Sequence, residues 1–436
     1  MRLRVVGLAA AALCVASPAL AANCRYDEPD AAGRVAACEK ILAAPGVSDD
    51  DAAQARVVLA TTYQVAGKLD AALAQAEIAV KLAPKEATAF VTRGHILELM
   101  KRTDAAVADY DTAVGLNPKH VMARVSRGLV RYDRGDYEGA RRDYTVALDG
   151  APEDPSIYIA RARATYPSRD YDAALSDMRR AERLEKLQPQ DLGFKGALLQ
   201  SLVRFPEALA AYNAVLKAEP RNVPILSAKG GVLFGMGLND EGEAAYRAAQ
   251  RADPDDETGY LGLAAIQLDQ GAPERAQAAY EALLKRQPGN EAARHGLAQS
   301  ALALGKPDEA ISILDELIKA NPKAAVLYVD RGRGWFAKAD EPRALADYDK
   351  ALVLNPDSFE GLYARGVLHA RAKRPAPALK DFDALLKLYE SDAASLWWRS
   401  RVKQSLGDAA GAKADHDAAQ KLAPDLVAEM DKSLST

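Results

Sequence analysis

The chain contains 436 residues, of which 57 are Lys or Arg and 61 are Asp or Glu, giving a formal charge of −4. This balance argues against a nucleic-acid-binding protein, which usually has a basic excess. Hydrophobic residues make up 49% and aromatic residues only 6%, so small apolar side chains, above all Ala, must provide much of the packing. Abundant Ala favours helices.

The first residues have the pattern of an export signal. Arg2 and Arg4 precede an apolar stretch over 5–15, and residues 19–21 (Ala-Leu-Ala) place small side chains where a signal peptidase cuts. The stretch is shorter than the roughly 20 residues that a transmembrane helix needs. We therefore predict a signal peptide over 1–21, a periplasmic or secreted location and no membrane span.

Two cysteines remain after the predicted cleavage. Cys24 and Cys38 form an even pair, which favours a disulfide in an oxidising compartment. A bridge closing a loop of about 15 residues stabilises the fold by ~3 kcal/mol in the chain-entropy model. Two free thiols are the alternative. Lipidation of Cys24 is a further alternative, although Asn23 before it is not the small residue that such signals usually carry.

A period of 34 residues organises the rest of the chain. Counted from Ala53, eleven units of this length run over 53–426 without insertion or deletion. Position 32 of a unit is Pro at 84, 118, 152, 220, 254, 288, 322, 356 and 424. Such a period indicates a repeat architecture in which stacked units bury a shared core.

Three further positions define the unit. Position 20 is Ala in ten of the eleven units, and position 8 is always Gly, Ala or Ser, which lets two helices approach closely. Position 24 is usually aromatic. Position 15 is Gly in six units, where it ends a first helix, and Pro at position 32 ends a second helix. Each unit is therefore predicted to be two helices of about 14 residues.

This pattern resembles the tetratricopeptide repeat family. The likeness rests on the small residue at position 8, Ala at 20, the aromatic at 24 and Pro at 32, and it covers 53–426. The resemblance implies an all-α, right-handed superhelical solenoid of about eleven helix-turn-helix repeats. Residues 22–52 are predicted to form an N-terminal capping helix region, and 427–436 a short amphipathic C-terminal tail.

Arg at position 7 and Asp at position 23 occur together in the same six repeats, which are repeats 2–4 and 9–11. We predict a salt bridge between them, within a repeat or with the neighbouring repeat. The alternative is that these arginines line a ligand groove. Repeats 5–8 (189–324) lack the pair and are richer in Gly. A softer central section is our hypothesis for that difference.

In the family that the chain resembles, the first helices line a concave groove. Positions 2, 5, 9, 12 and 13 face it, and aromatics mixed with Arg there suit an extended peptide or an amphipathic helix. The candidate binding residues are Tyr132, Ile159, Arg163, Tyr166, Phe234, Arg333, Phe336, Tyr363, Trp397 and Arg401, with His295 beside them. Some of these side chains are alternatively packing residues.

Other activities find little support in the sequence. Some family members clamp a carboxylate with Lys at position 5 and Asn at positions 6 and 9, but Asn is absent from all three positions here. The five His are isolated, and no catalytic, metal or phosphate-loop motif occurs. Acidic runs at 49–51 and 253–257 resemble calcium loops only loosely. They lie at predicted helix starts, where carboxylates interact favourably with the helix dipole.

The sequence therefore predicts an exported, non-enzymatic scaffold without cofactor or metal. It would bind a peptide or helix of a cell-envelope partner protein in its groove, and no nucleic acid. The alternative is an accessory protein of an envelope enzyme or polysaccharide system whose groove binds a glycan. That alternative requires exposed aromatic faces at Trp397 and Trp398.

Overall fold

A computed structural model describes Cys24 and residues 30–433. The predicted signal peptide over 1–21 lies outside these described residues. Within them the protein is all-α, with 24 α-helices, a short 3₁₀ turn at Tyr166–Ser168 and no strands. The chain divides into two compact units at the Ala218–Glu219 bond. Consecutive helices pack as antiparallel hairpins inside each unit.

The described part of the first unit contains eleven helices: α1 (Ala31–Leu42), α2 (Asp49–Val65), α3 (Leu69–Leu82), α4 (Ala87–Leu99), α5 (Thr103–Leu116), α6 (Val121–Asp133), α7 (Tyr137–Gly150), α8 (Pro155–Thr165), α9 (Tyr171–Leu184), α10 (Pro189–Ser201) and α11 (Phe205–Ala218). The described part of the second unit contains thirteen: α12 (Val223–Gly235), α13 (Asn239–Ala252), α14 (Thr258–Asp269), α15 (Pro273–Arg286), α16 (Glu291–Ala303), α17 (Pro307–Ala320), α18 (Ala325–Ala337), α19 (Glu341–Leu354), α20 (Phe359–Arg371), α21 (Pro375–Leu388), α22 (Ala393–Ser405), α23 (Ala409–Leu422) and α24 (Pro424–Ser433).

The helices keep the period of the sequence. In all eleven repeats the second helix covers positions 17–30, from α3 to α23, and is 14 residues long. Nine of the first helices start at position 1 of their repeat, while α2 starts early at Asp49 and α14 starts one residue late. Ser48 caps α2 by accepting a hydrogen bond from the Asp51 N–H. The acidic run at 49–51 is thus the first turn of α2.

Close packing inside the hairpins explains the small residue at position 8. All six repeats with Gly there carry Tyr or Phe at position 24, and a Cβ on that Gly would lie 2.4–3.0 Å from the ring. In repeat 9, for example, a Cβ on Gly332 would come 2.5 Å from Tyr348 Cε1. Four of the other five repeats have Ala, Met, Leu or His at position 24. Repeat 7 keeps Tyr280 and makes room with Gly296 of the following helix.

The predicted arginine–aspartate pairs are present in all six repeats, which confirms the salt bridges. Arg331 donates from Nε and Nη2 to the two carboxylate oxygens of Asp347, at 2.8 and 2.6 Å. The other pairs have the same bidentate geometry at 2.6–2.9 Å: Arg93–Asp109, Arg127–Asp143, Arg161–Asp177, Arg365–Asp381 and Arg399–Asp415.

The same arginines also reach the preceding repeat. Nη1 of Arg331 donates to Asp315, at position 25 of repeat 8, over 2.6 Å. Three others make the equivalent bond: Arg127 to Asp111, Arg365 to Asp349 and Arg399 to Asp383. We call this arrangement the Arg–Asp ladder. All six guanidinium groups are bound to Asp within their own hairpin, and four of them also bond to the preceding repeat, so they hold helices together and do not stand free in a groove.

Two terminal elements cover the ends of the described chain. A disulfide joins Cys24 to Cys38 of α1, with a Cα–Cα distance of 4.9 Å, and both residues are buried against α2. At the other end, α24 includes most of the predicted tail. Its Val427 is fully buried in the core of the last repeat. Both elements therefore shield the apolar face that a terminal repeat would otherwise expose.

Candidate functional site

The first helices of successive repeats lie side by side within each unit, as α4 and α6 do, and α18 and α20. We call their shared surface, at positions 2, 5, 9, 12 and 13, the first-helix face. The candidate residues lie on it in two groups. One group is in repeats 3 and 4 of the first unit, and the other is in repeats 9–11 of the second unit. Phe234 lies apart on α12 and is half-buried.

Arg163 and Tyr166 meet in the first group. The Arg163 guanidinium lies 5.0 Å from the centre of the Phe194 ring and donates to Asp191 Oδ1 at 2.9 Å. Tyr166 packs its edge against the same Phe194 ring at 5.7 Å and remains 36% exposed. Nε of Arg163 is buried without a hydrogen-bond partner. The result is an aromatic surface with a cation beside it.

Two other residues of that group are less available. Tyr132 is half-buried and packs against Tyr137 at 5.3 Å. Ile159 is buried in the core formed with Met178 and Leu198. Because its side chain fills the hairpin, Ile159 offers no surface to a partner, contrary to the expectation from its position.

A buried carboxylate anchors the start of the second group. Asp330, only 1% exposed, accepts hydrogen bonds from His295 Nε2 at 2.7 Å, Gln299 Nε2 at 3.0 Å and Arg333 Nη1 at 2.9 Å. Burial opposes ionisation of Asp330, but the bond from His295 and the Arg333 charge outweigh it and lower the pKa of this carboxyl. The carboxylate thereby orients Arg333, whose side chain remains 45% exposed.

Aromatic rings and a cation follow on α20 and α22. The Arg371 guanidinium lies 5.8 Å from the Phe336 ring centre and 5.9 Å from that of Trp398. Trp398 donates from Nε1 to Tyr363 Oη at 3.2 Å. Arg371 itself is exposed. This combination can hold a carboxylate on the guanidinium while apolar groups pack on the rings.

The two neighbouring tryptophans are buried, so they do not present the exposed faces that the glycan alternative requires. Trp397 is 1% exposed and Trp398 8%. Trp397 packs in the core that α24 closes and donates from Nε1 to Asp431 Oδ1 at 2.8 Å. Arg401 covers the ring at 5.1 Å and is itself exposed. Of Trp397 and Arg401, only Arg401 is therefore accessible to a partner.

Sequence analysis missed several residues of these groups, among them Phe194. Asp191 and Asp330 stand at positions 3 and 6, which the family resemblance does not place in the groove, and Arg371 stands at position 13, which it does. The exposed cation at position 13 was therefore detectable from the register alone. The pairing of the buried carboxylates with their arginines could not be predicted, because it depends on how neighbouring first helices pack.

Family models match most of the repeat region. A model described as tetratricopeptide repeat matches residues 57–121, 100–155, 125–191, 195–257 and 336–393, and a second model with the same description matches 267–329. The chain belongs to the tetratricopeptide repeat family. Proteins of this family are interaction scaffolds that are typically non-catalytic, so its partners are expected to be proteins.

One solved structure shows the same fold, and a second matches the chain more weakly. A tetratricopeptide repeat protein from Parabacteroides merdae ATCC 43184 matches with a TM-score of 0.52 and 19% identity, covering 57% of this chain and 98% of that chain. The APC/C hetero-tetramer Cut9–Hcn1 matches with a TM-score of 0.47 and 13% identity, over 92% of this chain and 93% of that chain. No curated protein matches the chain.

Two properties bear on what these repeats can bind. Among the described helices, none has the length and apolarity that crossing a bilayer requires. The described residues also contain no cluster of three or more His, Cys, Asp or Glu that could hold a metal ion.

Proposed function

We propose that this tetratricopeptide repeat protein is an exported scaffold that binds an acidic peptide or helix of a cell-envelope partner on its first-helix face. The observation that carries the proposal is the row of exposed arginines on three successive first helices. Arg333 lies on α18, Arg371 on α20 and Arg401 on α22, and each stands beside a buried carboxylate or an aromatic ring.

The chemistry of this row favours an acidic segment. A guanidinium binds carboxylates through strong, directional hydrogen bonds. Arg and aromatic side chains are also the residue types that contribute most to protein–protein binding energy. Arg371 and Arg401 contact rings of Phe336 and Trp397, which hold the two cations in place before a partner arrives. Such preorganisation lowers the entropy cost of binding.

Export is supported by the basic and apolar pattern of residues 1–21. The Cys24–Cys38 disulfide is consistent with it, because disulfides persist in oxidising compartments such as the periplasm. Export would place the partner in the envelope or outside the cell. A glycan-binding groove is the weaker candidate, since burial of Trp397 and Trp398 removes the flat exposed rings on which sugars would stack.

The test compares two double charge reversals in the native host. R371E/R401E reverses two exposed arginines of the first-helix face, and K350E/K380E reverses two exposed lysines on the second helices α19 and α21. Proteins cross-linked to the tagged chain in intact cells are quantified for both variants and the wild type. We expect R371E/R401E to lose at least about tenfold of a partner that K350E/K380E retains.

The same preparation tests export. The mature chain should be recovered from the envelope or the periplasmic fraction, with Ala22 as its first residue. Equal retention of all partners by both variants would contradict binding on the first-helix face. A chain that stays in the cytoplasm with Met1 intact would contradict export.

A further inference from the structure

Repeat 7 lacks the Arg–Asp ladder in a way that opens the space between its helices. Leu263 stands at position 7 and Ala279 at position 23, where repeat 9 has Arg331 and Asp347. In repeat 9 the guanidinium occupies the place where α17, α18 and α19 meet. Leu and Ala are too short to occupy it. Repeat 8 also lacks the ladder but puts the larger Ile313 at position 23, packed against its core.

A groove of about 330 Å³ results, open to solvent and lined by α13, α14 and α15. Its apolar walls come from α14 and α15, and the residues that form them are Tyr260, Leu263, Ala278, Ala279 and Ala282. A volume near the lower end of the range for ligand pockets suits one side chain of a partner better than a cofactor. This groove lies away from the arginine row on α18, α20 and α22.

A polar group at the groove is left without a partner. Gln267 is 3% exposed and lines the groove, and its Oε1 accepts no hydrogen bond. An unpaired buried acceptor costs free energy, because the water that it lost has not been replaced. A ligand group that donates an N–H or O–H to Gln267 would recover this loss.

The rim of the groove is positively charged. Arg275 and Arg247 both line it, and both donate to the single buried carboxylate of Glu243, at 2.6 and 2.8 Å. Two guanidinium groups share one carboxylate, so one positive charge is left uncompensated in this group. The side chains of Arg247 and Arg275 are 47% and 50% exposed, and can therefore meet acidic groups of a partner.

We propose that this groove docks an acidic segment of a partner protein, which inserts a tryptophan side chain. The ring would pack on Leu263 and the alanines of α15, and its indole N–H would donate to Gln267 Oε1. Tryptophan fits because it combines a large apolar surface with one hydrogen-bond donor that needs a partner when buried. Acidic residues flanking it would meet Arg247 and Arg275.

The probe is a labelled, end-capped peptide of sequence Asp-Glu-Trp-Glu-Asp, titrated with the full mature chain and followed by fluorescence anisotropy. Two matched peptides replace Trp with Phe or with Ala. We expect saturable binding of the Trp peptide, weakened about fivefold in the Phe peptide by loss of the donor. The Ala peptide should bind at least about tenfold more weakly than the Trp peptide.

Variants of the chain locate the binding. Ala278→Phe fills the groove from an exposed position, and Ala346→Phe is its match at the same position of ladder-carrying repeat 9. A278F should weaken the Trp peptide at least about tenfold, whereas A346F should leave its affinity unchanged. Gln267→Leu should abolish the preference for Trp over Phe. L263R/A279D, which restores a ladder pair, should also close the groove.

Several results would overturn the proposal. One is the absence of saturable binding, and another is equal affinity for the Trp and Phe peptides. Equal binding by A278F and the wild type would also reject it, even if L263R/A279D failed to fold. Loss of binding in R371E/R401E with retention in A278F would place the acidic peptide on the first-helix face and reject the groove.

Discussion

Position 15 shows how one residue shapes every hairpin of the solenoid. The backbone there is left-handed in all eleven repeats, with φ between 54° and 85°. Gly occupies it in six repeats, as the sequence analysis expects, but five repeats place a side chain in the same conformation: Lys101, Arg169, Val203, Ala339 and Lys373. The fold therefore imposes this turn even where the local sequence opposes it, because both helices it joins are fixed by packing.

Val203 bears the largest local cost of that constraint. A branched side chain in the left-handed region clashes with its own backbone, and Val203 has φ of 57° while remaining 68% exposed. We expect Val203→Gly to raise the free energy of unfolding by about 0.5–1 kcal/mol, since relief of strain outweighs the added entropy of the unfolded chain. Urea denaturation followed by circular dichroism measures the change.

The matched control is Gly271→Val at the same position of repeat 7, where φ is 67°. That substitution should lower the free energy of unfolding by at least as much as V203G raises it. A V203G chain that is less stable than the wild type would show that the turn is not strained.

At the scale of the helices, the Arg–Asp ladder joins neighbouring helices through salt bridges. Asp143 is the most heavily bonded carboxylate in it, fully buried between α6 and α7. It accepts hydrogen bonds from Arg124, Arg127 and Arg131 at 2.6–2.9 Å. Loss of such a carboxylate removes the buried charge to which three guanidinium groups bond at once, and this costs far more than an exposed pair contributes.

We expect Asp143→Asn to lower the free energy of unfolding by about 3–5 kcal/mol. Asp111→Asn is the control, because Asp111 accepts one ladder bond from Arg127 and its side chain is 52% exposed. That change should cost less than about 1 kcal/mol. Equal losses in the two variants, measured by urea denaturation at pH 7, would contradict a special role for the buried carboxylate.

The pH dependence of stability has a definite sign. Burial opposes ionisation of Asp143, but the bonds from Arg127 and Arg124 outweigh burial and lower its pKa in the folded chain. Because the pKa of Asp143 is lower in the folded chain than in the unfolded chain, Asp143 contributes its full stabilisation above the unfolded pKa of about 3.9. That stabilisation is lost as the pH falls through the folded pKa. D143N should therefore lose less stability than the wild type between about pH 4 and pH 2.

At the scale of the whole molecule, periodicity determined most of what the sequence could predict. Proline at position 32 and Ala at position 20 gave the register that all eleven second helices keep. The partners of the ladder arginines also followed from co-occurrence within repeats. Prediction from the periodic pattern works here because each repeat contacts mainly its neighbours, so the same helix packing recurs along the chain.

The candidate site was less predictable, because it depends on where the pattern is broken. Trp397 occupies a groove position but is buried in the core, as Val125 and Val329 are at the same position of other repeats. Arg163 donates a hydrogen bond to Asp191 on the next first helix, at a position where the repeat has no characteristic residue. The groove of repeat 7 depends on the volumes of Leu263 and Ala279 in three dimensions. The structural effect of such departures from the repeat therefore cannot be predicted from the periodic pattern alone.

The hypothesis of a softer central section can be tested by hydrogen exchange. Repeats 5–8 lack the ladder, and α15 and α19 are second helices of equal length that differ in having it. We expect amides of α15 to exchange about tenfold faster than those of α19, because local opening of α15 breaks fewer bonds to its neighbours. Arg331→Leu combined with Asp347→Ala gives repeat 9 the residues of repeat 7. In that variant α19 should exchange about as fast as α15, and unchanged protection of α19 would show that the ladder does not set local stability.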